Sequence, residues 1–356
     1  MKQYKVGIVG ATGMVGQRFS LLLENHPWFE VVALAASARN KGKTYAEACE
    51  GRWKMTVPMP DKYKDMVMYD ATADAEEIAS KVDFIFCAVD MKKDEIRALE
   101  EKYAKLECPV CSNNSAHRGT PDVPMIIPEI NADHAEIIPA QRKRLGTKRG
   151  FIAVKSNSYV PALSALMDFE PTEVSVCTYQ AISGAGKTFE TWPEMVDNVI
   201  PYIGGEEEKS EKEPMKIWGR IEGDHIEPAT VPVISAQCLR VACSDGHMAA
   251  ASVKFKNKPS KEVMIERWNS FKGRAQELKL PSAPEHYLTY CEEDNRPQTK
   301  LDRMTENGMG VTIGRLREDT IFDYKFVSLS HNTLRGAAGG AVLMAELLCA
   351  EGYMDR

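Results

Sequence analysis

The apolar positions in the first part of the chain alternate between two periods. Tyr4 to Val9 has the pattern of a short buried strand, and Met14, Val15, Phe19, Leu22 and Leu23 then recur at helical spacing. That helix is expected to stop near Asn25-His-Pro27 and to hand over to a second apolar run, Phe29 to Ala36. The alternation continues with a helix over Ala73 to Lys81, a strand over Phe84 to Val89, a helix over Lys92 to Lys105 and a short strand from Pro109 to Cys111. Strands and helices in this order predict a parallel sheet covered by helices.

After about residue 150 the pattern changes. Phe151 to Val154 reads as a strand and Val160 to Phe169 as a helix, while Glu173 to Tyr179, His247 to Phe255 and Thr320 to Ser328 read as long β segments. Fewer helices between longer strands predict a mixed or antiparallel sheet. Ser260 to Leu278 is expected to be one helix capped by Ser260, and Asn332 to Leu348 a closing helix. Glu206 to Glu213, a charged stretch, is expected to be an exposed loop or helix start. The fold class is therefore α/β. A Rossmann-type domain over residues 1–152 is completed by 331–356, and an α+β domain with a mixed sheet covers 153–330.

A length of 356 residues suits two domains of ordinary size. The formal charge of −6 argues against a nucleic-acid-binding surface. No apolar run has the length of a bilayer span, and the N-terminus enters a strand pattern at once, without a signal peptide. Nine cysteines in such a chain point to reduced thiols in a cytoplasmic protein. Cys108 and Cys111 make a lone Cys-x-x-Cys with no second pair at metal spacing, so no metal is expected.

Gly10-x-x-Gly13-x-x-Gly16 lies between the first strand and the first helix. There the first glycine permits a tight turn, the second lets the backbone approach a diphosphate, and the third lets helix and strand pack closely. The helix N-terminus then faces the phosphate charge. The competing reading is a glycine-rich turn without a ligand; the strand–glycines–helix context favours a dinucleotide. The second strand ends Ala36-Ser37-Ala38-Arg39-Asn40-Lys41, with no acid to hold ribose hydroxyls. A hydroxyl and two cations suit a 2′-phosphate, hence NADP, against the alternative of a solvated basic turn.

Three clusters in the second half have chemistry to offer. Gln180-Ala-Ile-Ser183-Gly184-Ala-Gly186 ends a strand with a polar residue and small neighbours; Arg240 and His247 flank a turn; Glu213 and Lys216 lie within one helical turn. Each also has a plain structural reading, as an ion pair or a satisfied strand-edge histidine.

Together with Gly10-Ala-Thr-Gly-Met-Val-Gly-Gln-Arg-Phe19, these stretches resemble the aspartate-semialdehyde dehydrogenase family, in its archaeal and fungal branch. Ser112-Asn-Asn-Ser-Ala-His-Arg118, Val123-Pro-Met-Ile-Ile-Pro128, Val199-Ile-Pro-Tyr-Ile203, Ser235-Ala-Gln-Cys-Leu-Arg240, Asp245-Gly-His247 and Ser330-His-Asn-Thr-Leu-Arg-Gly-Ala-Ala-Gly-Gly340 carry the likeness along nearly the whole chain. The resemblance implies NADP-dependent reductive dephosphorylation of L-4-aspartyl phosphate to L-aspartate 4-semialdehyde, in lysine, threonine and methionine biosynthesis. The family's cysteine thiolate forms a thioester on the way. It further implies His247 as acid/base, Gln180 as the residue orienting substrate, Arg240 as the grip on the α-carboxylate and Glu213 as the partner of the α-amino group. Lys216, Arg118 and Asn114 match the phosphate-binding groups. For the cofactor it implies Gly10, Thr12, Gly13, Met14, Val15, Ser37, Arg39, Ser183, Gly184 and Asn332. The small molecules are the expected partners, with no nucleic acid and no membrane, and the family implies a homodimer or homotetramer.

One position departs from the pattern. The family reads Asn-Cys-Ser-Thr or a close variant before Val-x-x-Leu; this chain reads Lys155-Ser-Asn157-Ser158-Tyr-Val160-Pro-Ala-Leu163. It is about four residues short, and the nucleophile expected between Asn157 and Ser158 is absent. Either the working protein carries a further segment here, which the other matched positions favour, or it is a catalytically inactive NADP-binding paralogue. Related acyl-phosphate or acyl-CoA reductases are an alternative. The Glu213-x-x-Lys216 pair argues against a CoA ester.

Overall fold

A computed structural model describes residues 3–155 and 160–355. In the first part, β1 (Tyr4–Val9), β2 (Phe29–Ala36), β3 (Tyr69–Asp70), β4 (Phe84–Cys87), β5 (Val110–Ser112), β6 (Met125–Ile126) and β7 (Ile152–Lys155) form one sheet. Its order is β3-β2-β1-β4-β5-β7-β6, and every neighbouring pair is parallel. The strand order reverses between β1 and β4, which opens a crevice at the carboxyl ends of those strands. The strands are almost wholly apolar because helices cover both faces.

The closing helix Gly339–Ala350 packs on β5 and β7, with every residue from Gly339 to Cys349 buried. This explains a helix that is apolar all round. Its one charge, the fully buried Glu346, accepts from His26 Nε2 at 2.8 Å and from the Ser282 amide at 3.0 Å.

The second sheet uses β8 (Pro171–Gln180), β9 (Val199–Ile200), β12 (Val233–Val241), β13 (His247–Phe255), β14 (Leu288–Cys291), β15 (Val311–Glu318) and β16 (Tyr324–Ser330). The order β14-β15-β16-β13-β8-β12-β9 mixes parallel and antiparallel pairs. A separate hairpin joins β10 (Arg220–Glu222) and β11 (His225–Glu227). Among the described residues no helix is long and apolar enough to cross a membrane. All nine cysteines are free thiols.

Four expectations are corrected. Of the two readings of Glu206 to Glu213, the helix start holds and the exposed loop does not. The stretch belongs to the helix Glu206–Ile217, which packs on β12 and buries Ser210, Pro214, Lys216 and Ile217. The strand expected from Thr320 begins at Tyr324, because Asp319 Oδ1 accepts from the Ile321 and Phe322 amides at 2.8 and 3.0 Å and makes a turn. The helix expected over Ser260 to Leu278 stops at Ser270 and resumes at Arg274. Between them Gly273 is extended, and a Cβ there would lie 2.0 Å from Glu129 O, so the chain passes directly against another backbone. The closing helix opens with a wide π turn, Leu334–Ala338, before its α-helical part. Eight strands, β3, β6, β9, β10, β11, β12, β14 and β15, carry no expectation from the sequence.

Candidate active site

The loop after β1 is shaped by sterics. Gly10 has φ +97°, and a Cβ there would lie 2.3 Å from Ala88 O. At Gly16 a Cβ would lie 2.2 Å from Gly10 O. Both obstacles are backbone atoms and cannot step aside. Gly13 is different: it is exposed, it caps the helix Met14–Leu22 without a side-chain bond, and the nearest atom to a Cβ is 3.6 Å away. Gln17 Nε2 donates to Thr12 O at 2.9 Å and pins the loop. At the end of β2, Ser37 and Arg39 are exposed, and Arg39 makes no hydrogen bond or ion pair among the described residues. Lys41, read with them from the sequence, is instead engaged by Asp74 at 2.5 Å.

The clusters of the second half come together through strand register. Arg240 on β12 pairs with Gln180 on β8, Gln180 with His247 on β13, and His247 with Ser330 on β16. Residues directly opposite one another share a face, so this row sets all four side chains on one side of the sheet. All four are buried. Arg240 Nη1 donates to Ala181 O at 2.7 Å, and a Cβ at Gly184 would come within 2.9 Å of the same nitrogen. Gln180 Nε2 donates to Thr178 Oγ1 at 3.2 Å and reaches Glu206 Oε2 at 3.5 Å. Asn332 joins two loops: its Oδ1 accepts from the Gly246 amide and its Nδ2 donates to Ser183 Oγ, both at 2.8 Å.

Gln180, Arg240, His247 and Asn332 line a cleft of about 510 Å³. It brings together Val15, Asn114, Arg118, Gln180, Ser183, Gly184, Glu213, Arg240, His247 and Asn332. Gly10, Thr12, Gly13 and Met14 form the loop leading to Val15, and Ser37 and Arg39 lie apart, after β2. Lys216 does not reach the cleft. Its Nζ donates to the carbonyls of Arg118 and Thr120 at 2.9 and 2.6 Å, and burial pushes its pKa down to about 8. Glu213 takes Arg118 Nη1 on both oxygens, at 2.9 and 3.2 Å. Asn157 and Ser158, which flank the expected nucleophile, lie outside the described residues. Among the described residues no cysteine lines the cleft.

Glu206, Lys209, Lys155 and Asn113 were missed from the sequence. Glu206, Lys209 and Glu213 all line the cleft, and their spacing on one helix face was available as a signal. Lys155 ends β7 and is fully buried. Burial first, then the Arg335 and Arg118 charges, hold its ammonium well below the ordinary lysine range.

Burial pushes His247 down to about 4; the Glu206 carboxylate opposes this and the Arg240 and Lys155 charges add to it. Burial likewise pushes His331 down to about 4. Both imidazoles are therefore neutral at pH 7. Because the folded values lie below the unfolded value, the stability they confer is complete above about pH 6.5 and is lost as pH falls toward about 4. Each is expected to cost about 2 kcal/mol of stability near pH 5. Urea unfolding near pH 7 and pH 5 measures this, and His247→Gln should remove its share of the difference.

The chain matches two family models: "Semialdehyde dehydrogenase, NAD binding domain" over residues 5–138, and "Semialdehyde dehydrogenase, dimerisation domain" over residues 163–335. It is 40% identical to an aspartate-semialdehyde dehydrogenase of Aspergillus fumigatus, over 98% of each chain. It is 41% identical to one from Archaeoglobus fulgidus, over 98% of this chain and 99% of the relative. The crystal structure of the Candida albicans enzyme with NADP superposes with a TM-score of 0.88 at 35% identity, covering 99% of this chain and all of that one.

Proposed function

The chain belongs to the aspartate-semialdehyde dehydrogenase family, and from that premise we propose that it is an NADP-dependent, phosphorylating oxidoreductase. It interconverts L-4-aspartyl phosphate and L-aspartate 4-semialdehyde, the reductive direction serving lysine, threonine and methionine biosynthesis. The observation that carries the reading is the cross-strand row Arg240–Gln180–His247, which opens on the same cleft as Val15 of the glycine loop and Asn332.

The residues fit the cofactor. Gly10 and Gly16 set the loop so close to backbone that a Cβ at either would strike it, and Gly13 leaves the centre of the loop clear. Gly10, Thr12, Gly13, Met14 and Val15 would hold the diphosphate, Ser37 and Arg39 the 2′-phosphate, and Ser183, Gly184 and Asn332 the nicotinamide end. NADP supplies hydride transfer when bound. Arg240 grips the substrate carboxylate, Gln180 orients the carbonyl end, and Glu213 meets the amino group. Arg118, with Asn114 beside it at the cleft, serves the phosphate, while Lys216, outside the cleft, ties down the loop that carries them. His247, neutral in its buried place, takes and returns the proton.

The reaction also needs a thiolate. We place it between Asn157 and Ser158, in a segment about four residues longer than this sequence has. The missing thiol favours a second reading, an NADP-binding paralogue without turnover. NADP reduction that requires both L-aspartate 4-semialdehyde and phosphate tests the first reading. A preference for CoA over phosphate would overturn it in favour of an acyl-CoA reductase.

Two glycine substitutions separate cradle from scaffold. Gly13→Ala should leave the unfolding midpoint within a degree or so and weaken NADP at least about tenfold, since it adds an atom only on the diphosphate side. Gly16→Ala forces backbone apart and should cost roughly 2–4 kcal/mol of stability. Thermal unfolding and NADP titration of both variants check this.

Residues 1–152 with 331–356 form the NADP-binding domain, and 153–330 the catalytic and dimerisation domain. The protein is a cytoplasmic homodimer or homotetramer. Exposed Val233 and Val199 on the edge of the second sheet support association.

A further inference from the structure

The helix Lys93–Lys105 turns one charged residue inward. Glu100 is fully buried among Ile96, Leu99, Tyr103 and Ala104 of the same helix. A carboxylate in such a place is costly unless it is bonded, so its partners are informative. All of them belong to the end of β5, the segment that follows it or the strand beside it. Ser112 Oγ donates to Glu100 Oε1 at 2.5 Å, and Asn114 Nδ2 donates to the same oxygen at 2.8 Å. The second donation from Asn114 Nδ2 goes to Cys87 Sγ at 3.4 Å. Ser112 Oγ in turn accepts from the Asn114 amide at 3.0 Å. The other oxygen, Oε2, stands 4.0 Å from His117 Nε2, with His117 anchored through Nδ1 to Thr120 Oγ1 at 3.1 Å.

An amide nitrogen has two hydrogens to give. Both of Asn114's are taken from below the loop, which leaves this side chain poorly placed to donate to a phosphate. Two other donors on the same loop are buried without a partner among the described residues: Asn113 Nδ2 and Arg118 Nε. Both residues line the cleft. Lys216 pins the far side of the loop through the Arg118 and Thr120 carbonyls.

We propose that Glu100 is a positioning residue for anion binding. By taking the Asn114 amide and the Ser112 hydroxyl beneath the loop, it leaves Asn113 and Arg118, which line the cleft, to serve the substrate phosphate. The inference rests on the reading of this loop as the phosphate site, and it moves the amide donor from Asn114 to Asn113.

The test is calorimetric titration of inorganic phosphate into the full chain saturated with NADP. Glu100→Leu should weaken phosphate at least about tenfold while the NADP Kd stays within about twofold. Glu100→Gln keeps an acceptor oxygen and should stay within about threefold of the unaltered protein for phosphate. Asn113→Ala breaks no bond beneath the loop, so it reports even if Glu100→Leu does not fold; it too should lose about tenfold. Unchanged phosphate affinity in Glu100→Leu or in Asn113→Ala overturns the inference. An unaltered protein that binds no phosphate overturns the reading of the loop itself, and this role with it.

Discussion

Insertion of a four-residue Cys-Ser-x-x segment between Asn157 and Ser158 raises phosphate-dependent turnover of L-aspartate 4-semialdehyde by at least about 10⁴-fold over the chain as written. The reason is chemical. A serine hydroxyl at Ser158 is barely ionised at neutral pH, whereas a thiol loses its proton readily to a neutral imidazole. The described residues already supply that imidazole at His247, with Arg240 and Gln180 beside it in one cross-strand row. They supply no thiol to the cleft. A control insertion of the same length, Ala-Ser-x-x, restores length without chemistry and should stay at background. Steady-state rates with and without phosphate check both. Equal activity in the two inserted forms would show that length, not sulfur, was lacking.

In the cysteine-bearing form, His247→Asn lowers kcat by about 10²–10⁴-fold and leaves the NADP Kd within about twofold. His247 is fully buried at the start of β13 and neutral at pH 7. Its neutral ring has a lone pair to take the thiol proton as the C–S bond forms, the Glu206 carboxylate favours the charged ring that results, and the proton then returns to the substrate side. Asparagine fills similar space but cannot carry a proton across that step. Added imidazole, if it reaches the cleft, should recover part of the loss. A variant that keeps kcat within about threefold would remove His247 from the proton path.

What was legible in the sequence was mostly local. Gly10, Gly13 and Gly16 sit within two turns of each other, and their spacing alone carries the steric argument that the structure bears out at Gly10 and Gly16. The alternating strands and helices of the first sheet were readable for the same reason. Arg240, Gln180 and His247 were not readable as a site from spacing, because strand register brings them together over long sequence separations. The clusters that hold them were visible locally, but only the family resemblance joined them into one site. Charge misled the reading elsewhere. Glu206 to Glu213 looked solvated because hydropathy marks charged runs as surface, yet that helix presents Glu206, Lys209 and Glu213 to the cleft. Glu100 and Lys155 were invisible for the same reason: nothing local distinguishes a buried charge from an exposed one before its partners are known. β12 alternates exposed and buried positions, but it exposes Val233 and buries Arg240, so hydropathy does not follow its period.

The proposed chemistry requires a thiol beside Asn157 that can pass its proton to His247. It is tested most directly by mixing the cysteine-bearing chain with NADP and L-aspartate 4-semialdehyde in the absence of phosphate, and following nicotinamide fluorescence. The account predicts a rapid burst of NADPH stoichiometric with subunits, then a halt that phosphate relieves, with the thioester trapped on the inserted cysteine by mass spectrometry. A burst of the same size from the chain as written, or no burst from the cysteine-bearing one, would contradict it.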